Sequence, residues 1–182
     1  RTLKRRLLVA EDQQREMART DALTGLANRR GFDQALGAAL ARGDVHRGRR
    51  AGDEAPGAVL VLLDLDGFKL VNDSGGHAAG DELLRSVASH CDAVVRPHDT
   101  LARIGGDEFA VVAPAAGPAG ALRLATALRE AITRAVAEAT IAWAVHPEDG
   151  EVESELLRAA DRRLYEGKAA RANAPVATAA LR

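Results

Sequence analysis

Apolar and polar positions change their period several times along this chain, and each change marks an element. At the start, Leu3, Leu7, Ala10, Gln14 and Met17 recur at steps of four and three among charged residues. That spacing fits the seam of a short coiled coil, or a surface helix lying on the domain. Thr20-Asp21 breaks the run, and Thr24-Gly25-Leu26 reads as a turn. A helix follows with Phe32, Leu36 and Leu40 on one face and Asn28 as its N-cap. Residues 42–57 have almost no apolar residue and include Pro56, which predicts a mobile surface loop. Its basic piece, Arg47-Gly48-Arg49-Arg50, reads as a solvated run.

The unbroken run Val59–Leu63 predicts a strand buried on both faces, with Asp64 at its carboxyl end. Gly67 opens a turn, and Phe68-Lys69 begin a short helix whose N–H groups suit a phosphate. Leu83, Leu84, Val87, Ala88, Cys91, Val94 and Val95 then keep a helical period over 81–95, stopped by Pro97, with Asp81 and Glu82 in the first turn. Leu101 and Ile104 face Phe109, Val111 and Val112 across Gly105-Gly106, a β-hairpin with a tight two-residue turn and positive φ at its centre. A Gly/Pro/Ala loop at 113–120 leads to a helix bearing Leu122, Ala125, Leu128, Ile132 and Val136. Thr140–Val145 is a strand, and Pro147–Gly150 is a turn. Ser154 caps a last helix whose Leu156, Leu157, Ala160 and Leu164 face inward. The Ala-rich end from 174 is frayed. This order predicts an α+β fold, a mostly antiparallel sheet with helices packed around it.

Composition sharpens the picture in a few places. A chain of 182 residues suits one compact domain with an appendage. Hydrophobic residues make up 47% but aromatics only 3%, so Leu, Val and Ala must fill the core. A net charge of −1 gives no general attraction to nucleic acid or anionic membranes. Affinity for a polyphosphate must then come from local cations. The single cysteine, Cys91, excludes an internal disulfide framework, fits a reducing cytosol and falls on an apolar helix face. No apolar run approaches a membrane span and no signal peptide is visible. A start at Arg1 instead of Met reads as a fragment whose upstream part has been removed.

The candidate chemistry lies in two acidic stretches. Asp107 and Glu108 follow Gly105-Gly106 at the hairpin tip, where missing side chains let another molecule approach the backbone. Asp64 ends a central strand, a usual place for ligands in α/β sheets. Two carboxylates from neighbouring strands suit a Mg²⁺–phosphate site, because Mg²⁺ keeps waters and takes further ligands from the phosphates.

The motif Gly105-Gly106-Asp107-Glu108-Phe109 resembles the signature of the GGDEF domains, the diguanylate cyclases. The resemblance extends along the chain. Asp21-Ala-Leu-Thr-Gly-Leu-Ala-Asn28-Arg29-Arg30 is similar to the family's opening motif. Asp64-Leu-Asp-Gly-Phe-Lys69-Leu-Val-Asn72-Asp73 and Gly76-His77-Ala-Ala-Gly80-Asp81 are similar to its nucleotide-binding run, and Ala160-Asp161-Arg-Arg-Leu164-Tyr165-Glu-Gly-Lys168 to its last helix. These occur in family order over roughly residues 20–173.

The resemblance implies a fold like the palm of nucleotide polymerases, with a linker helix at 1–19, a catalytic domain at 20–174 and a tail at 175–182. It implies that Asp64 and Asp107 ligate two Mg²⁺ ions, or Mn²⁺ in their place, helped by the carbonyl of Leu65. Glu108 completes the acidic pair. Asn72 and Asp81 meet the guanine edge of GTP, Phe68, Lys69 and Lys168 hold its phosphates, and Gly105 and Gly106 leave room for it. The implied reaction condenses two GTP into cyclic di-GMP and two pyrophosphates, with two domains facing each other as a homodimer joined through the N-terminal helix. The other implied partner is an upstream sensor region of the same protein. The domain itself is expected in the cytoplasm, though the upstream part could be membrane-bound. Nucleic acid is not among the implied partners. Arg96-Pro-His-Asp99 resembles the family's inhibitory site for the product.

Two positions depart from the pattern. The family closes its last motif with Lys-x-x-Gly-Arg-Asn, and here the arginine's place is Ala172, with Arg171 one helical step, or about 100°, away. Ala142-Trp143 stands where a Gly-small pair is usual. A non-catalytic module that holds GTP or cyclic di-GMP, and a cyclase making cyclic mono-GMP, are the alternative readings.

Overall fold

The computed structural model describes residues 19–47 and 57–173. All but the last residue of the helix expected at 1–19, most of the expected loop at 42–57 and the tail from 174 lie outside the described residues. Among those described, the elements in chain order are α1 (Arg29–Arg47), β1 (Ala58–Leu65), α2 (Phe68–Asp92), β2 (Thr100–Arg103), β3 (Glu108–Pro114), α3 (Pro118–Arg134), β4 (Ala139–His146) and α4 (Glu153–Ala172). The sheet order is β2-β3-β1-β4, and every pairing is antiparallel. The α+β class and the antiparallel sheet are as the sequence predicts.

β1 lies between β3 and β4, and all eight of its residues are buried. Alternation sorts its side chains into two layers. Val59, Val61, Leu63 and Leu65 pack with Leu84, Val87 and Cys91 of α2 and Leu128 and Ile132 of α3. Ala58, Leu60 and Leu62 pack with Phe32, Leu36 and Leu40 of α1 and Leu156 and Ala160 of α4. Asp64 continues the second set, so the carboxylate at the strand end faces α4. Cys91 is core, as predicted, and burial pushes its thiol up to about 12. Among the described residues no helix is long and apolar enough to cross a membrane.

Local chemistry explains several boundaries. Asn28 caps α1, its Oδ1 accepting from the N–H groups of Arg30 (3.0 Å) and Gly31 (3.2 Å). α1 then runs on to Arg47, so residues 42–47 are helix and not loop. Leu40 packs on the core, and residues 41 and 42 are exposed. α2 is broken at Gly76 (φ 75°, ψ 173°), and its second arm begins at His77, earlier than the predicted 81. Asp81 therefore lies beyond the first turn of that arm. The helix ends at Asp92, and Val94 and Val95 reach the core from a turn.

Other expectations fail for identifiable reasons. Gly105 and Gly106 do not adopt positive φ. The hairpin closes through N–H groups of Ile104 (2.9 Å) and Gly105 (3.3 Å) on the carbonyl of Glu108, a wider turn than two residues. A Cβ on Gly105 would collide with Glu108 Oε2, so any other residue there would have to push the Glu108 carboxylate aside. Leu122 and Val136 are exposed, and Ala121, Ala125, Leu128, Ala131 and Ile132 form the inner face of α3. Val136 follows the helix at φ 59°, with bonds from its own N–H to Thr133 and from that of Ala137 to Ile132. That closure resembles a Schellman motif, with valine where glycine is usual. α4 begins at Glu153 after Val152, so Ser154 is not its cap. The N–H of Glu151 instead donates to Glu155 Oε2 at 3.0 Å.

Candidate active site

The carboxyl end of β1, the start of α2, the hairpin tip and the last turns of α4 enclose an open cleft of about 510 Å³. Asp64, Leu65, Phe68, Lys69, Asp107, Lys168 and Arg171 all line it. The sheet register explains the meeting. Asp64 pairs with Glu108 on one side and Thr140 on the other, and the N–H of Leu65 donates to the carbonyl of Asp107 at 3.1 Å. Residues 43 positions apart in sequence thereby come to one edge.

Lys168 reaches this edge because α4 packs closely on β4. A Cβ on Gly167 would stand 2.8 Å from Thr140 Cγ2, too close for any other residue without a shift. Lys168 Nζ lies 2.6 Å from Asp64 Oδ2. Burial raises the pKa of Asp64, Lys168 opposes that, and the negative charges of Asp107 and Asp66 add to the rise. The cleft thus holds Asp64, Asp66 and Asp107 beside Lys69, Lys168 and Arg171, so carboxylates and cations meet at one edge.

Asp66, to which the sequence reading gave no role, organises the cleft's rim. Its Oδ1 accepts from Thr140 Oγ1 at 2.9 Å, and its Oδ2 faces Arg171 Nη1 at 3.1 Å without a directed hydrogen bond. Arg171 also pairs with Glu138. The arginine beside the family position is therefore at the cleft, held by two carboxylates.

Asp21 of the opening motif and Arg103, which precedes the glycine turn, also have no individual role in the sequence reading. Arg103 donates from Nε (3.1 Å) and Nη2 (2.8 Å) to the carbonyl of Gly106, and from Nη1 to Asp21 Oδ1 (3.2 Å) and Oδ2 (3.3 Å). Asp21 Oδ1 also accepts from the N–H (2.9 Å) and Oγ1 (2.7 Å) of Thr24. Burial raises the Asp21 pKa, but the bonds from Thr24 and Arg103 outweigh it and hold the carboxyl below its ordinary value. The opening loop is pinned to β2 by main-chain bonds between Ala27 and both Leu101 and Arg103. Arg103 therefore ties the tip that carries Asp107 to a fixed loop. A basic residue two positions before the glycine turn was the available signal.

The remaining predicted residues do not line this cleft. Glu108 starts β3, and its carboxylate folds back beside Gly105. A Cβ on Gly106 would meet nothing within 4 Å, so that side of the tip is open. Asn72 lies on the first arm of α2 and Asp81 on the second, and the break at Gly76 brings Asn72 against Gly80. Neither Asn72 nor Asp81 hydrogen-bonds to another side chain among the described residues. Arg96 and Asp99 sit apart, in a hollow of about 180 Å³ that Arg123 also lines. There the N–H of Arg96 donates to Asp99 Oδ2 at 3.0 Å, and that of Asp99 to the carbonyl of Arg96 at 2.9 Å. Trp143 lies half-buried on edge strand β4, and its carbonyl accepts from Arg163 at 2.7 Å. Arg163 also pairs with Asp149.

Asp64, Asp66 and Asp107 thus converge with Lys69 and Lys168 at the end of the central strand of an α+β domain. The family model "Diguanylate cyclase, GGDEF domain" matches residues 18–174, and the chain belongs to that family. It is 39% identical over 161 residues to the bifunctional diguanylate cyclase/cyclic di-GMP phosphodiesterase MucR of Pseudomonas aeruginosa, covering 84% of this chain and 22% of that protein. It is 36% identical over 180 residues to the response regulator PleD of Caulobacter vibrioides, covering 93% of this chain and 38% of PleD. The chain thus spans well under half the length of these relatives. Among solved structures, the coiled coil and GGDEF domain of DgcB from Caulobacter crescentus, in complex with c-di-GMP, superposes with a TM-score of 0.77 at 30% identity. That match covers 93% of this chain and 90% of the other.

Proposed function

We propose that this domain is a diguanylate cyclase that condenses two GTP into cyclic di-GMP and two pyrophosphates. The observation that carries the reading is the convergence of Asp64 and Asp107, with Lys69 and Lys168, on one open cleft. No group of three or more His, Cys, Asp or Glu side chains forms a metal cage among the described residues. A donor set of two carboxylates and the Leu65 carbonyl fits Mg²⁺, whose other ligands are waters and phosphate oxygens. Bound there, Mg²⁺ or Mn²⁺ would supply charge neutralisation at the phosphorus and acidify the attacking hydroxyl.

The chain's own residues account for the rest. Lys69, in the first turn of α2, and Lys168 offer cations to the phosphates. Asn72 and Asp81 present an amide and a carboxylate that complement the donors and acceptors of guanine. In the reaction each 3′-oxygen bonds to the α-phosphorus of the other GTP. The bond from that phosphorus to the bridging oxygen breaks, pyrophosphate leaves, and the hydroxyl proton passes to solvent. One cleft holds one GTP, so two copies must meet with two-fold symmetry, brought together by the N-terminal helix under control of an upstream sensor region. Cyclic di-GMP binding at Arg96 and Asp99 would restrain turnover by favouring a non-productive arrangement of the two domains. A cytoplasmic location suits these substrates.

One observation favours a second reading, a module that binds GTP or cyclic di-GMP without turnover. Arg171 is engaged by Asp66 and Glu138, and Ala172 leaves the family's phosphate position without a cation. Incubation with GTP and Mg²⁺, followed by mass-spectrometric identification of products, separates the two. Cyclic di-GMP and pyrophosphate support the cyclase, whereas bound but unconverted GTP supports the module.

A further inference from the structure

We infer that Gly80 is a positioning residue for base recognition, acting through Asn72. The inference rests on the reading of Asn72 as a partner of guanine. Gly80 sits inside the second arm of α2 without a positive φ, so its backbone does not call for glycine. On helix propensity alone, alanine would be preferred there. The reason for glycine is its neighbours. Gly80 is buried, and a Cβ on it would collide with Asn72 Oδ1 and lie 3.0 Å from Asn72 Cγ and 3.1 Å from Phe68 Cζ.

The break at Gly76 kinks α2, and Gly80 of the second arm meets the Asn72 and Phe68 side chains of the first. The Asn72 carboxamide makes no hydrogen bond to the described residues, so packing on Gly80 sets its orientation. The Phe68 ring, packed against the core from the first turn of α2, bounds the other side. A methyl group at position 80 has to displace the amide or the ring, and the amide is the less constrained. Asp81 follows in the same turn and would be left in place. Gly80 thus fixes the amide that reads the base, and Phe68 links that reading to the phosphate cleft it also lines.

A double-mutant cycle in the whole chain tests this. The probes are unreactive α,β-methylene analogues of GTP and ATP, with affinities measured by calorimetry and stability by thermal melting. Gly80→Ala should lower the preference for the GTP analogue about tenfold, as Asn72→Ala does, the range expected for one lost base contact. In the Asn72→Ala background, Gly80→Ala should change the preference less than twofold and cost less in melting temperature than it does in the wild type, because the amide is gone and only the Phe68 Cζ contact at 3.1 Å remains. Additive losses of preference, or a Gly80→Ala variant that keeps the wild-type preference, would overturn the inference alone. An Asn72→Ala variant with unchanged preference would overturn the base-reading role beneath it. Equal weakening of both analogues by Gly80→Ala would return Gly80 to a general packing role.

Discussion

Replacing Arg103 by alanine should loosen the hairpin tip and, through it, the reaction. The guanidinium bridges two carbonyl and carboxylate partners, Gly106 and Asp21, with its side chain only 16% exposed and that of Asp21 22% exposed. Charge-assisted hydrogen bonds contribute roughly 1.5–3 kcal/mol each when shielded. Water can replace part of the clamp at this rim, and Asp21 keeps its bonds from Thr24, so the net loss should be about 2 kcal/mol. For a domain of this size that is a fall in melting temperature of about 4–8 °C. Turnover should fall more, by about 10–100-fold, because displacement of Asp107 by a fraction of an ångström disturbs the arrangement at the reacting phosphorus. Arg103→Lys should recover part of the melting temperature through the Asp21 charge but little of the turnover, since an ammonium cannot hold Asp21 and Gly106 in one fork. The pH dependence has a fixed sign. A carboxyl held below its ordinary value of 3.8 contributes stability above that value and loses it as pH falls through its lower folded value. The melting penalty of Arg103→Ala should therefore be full at neutral pH and shrink in strong acid. Scanning calorimetry across pH, with turnover of Mg²⁺-GTP, checks all of this. Wild-type turnover in Arg103→Ala would refute the view that the clamp positions Asp107.

Three further outcomes follow from the same geometry. Asp107→Asn should abolish product formation from GTP while melting without nucleotide hardly moves, and a variant active at the wild-type rate would remove Asp107 from the site. Arg96→Ala should weaken cyclic di-GMP binding in calorimetry and relieve inhibition while sparing GTP turnover. The backbone N–H that holds Asp99 is retained in that variant, so unchanged affinity would reduce Arg96 to a turn residue. Val136→Gly should raise stability by about 1–2 kcal/mol, because it relieves a β-branched residue at positive φ and forfeits almost no buried surface. An unchanged or lower melting temperature would show that Val136 is not strained.

Local periodicity was enough for the sheet's centre and for the helices that bury one clean stripe. An all-apolar run has no exposed face to offer, so Val59–Leu63 had to be an interior strand, and Asp64 had to end it. Phe32, Leu36 and Leu40 likewise had one way to be buried. The pattern misled where apolar residues were scarce or small. α1 continues through residues with few apolar side chains, and alanines carry much of the inner face of α3, so Leu122 and Val136 looked more useful than they are. The acidic pair was legible because Asp64 and Asp107 flank strands in motifs that resemble a family. Its surroundings were not. Lys168 meets Asp64 only because Gly167 lets α4 close on Thr140, and Arg171 turns to Asp66 and Glu138 only once three elements share a rim. Arg103 finds Asp21 across 82 positions of sequence, and Asn72 finds Gly80 only after the helix breaks at Gly76. The sequence by itself determined which residues are apolar, acidic or free of a Cβ, and hence the elements they favour. Which carboxylate meets which cation depends on distances between elements, and those are set by packing over the whole domain.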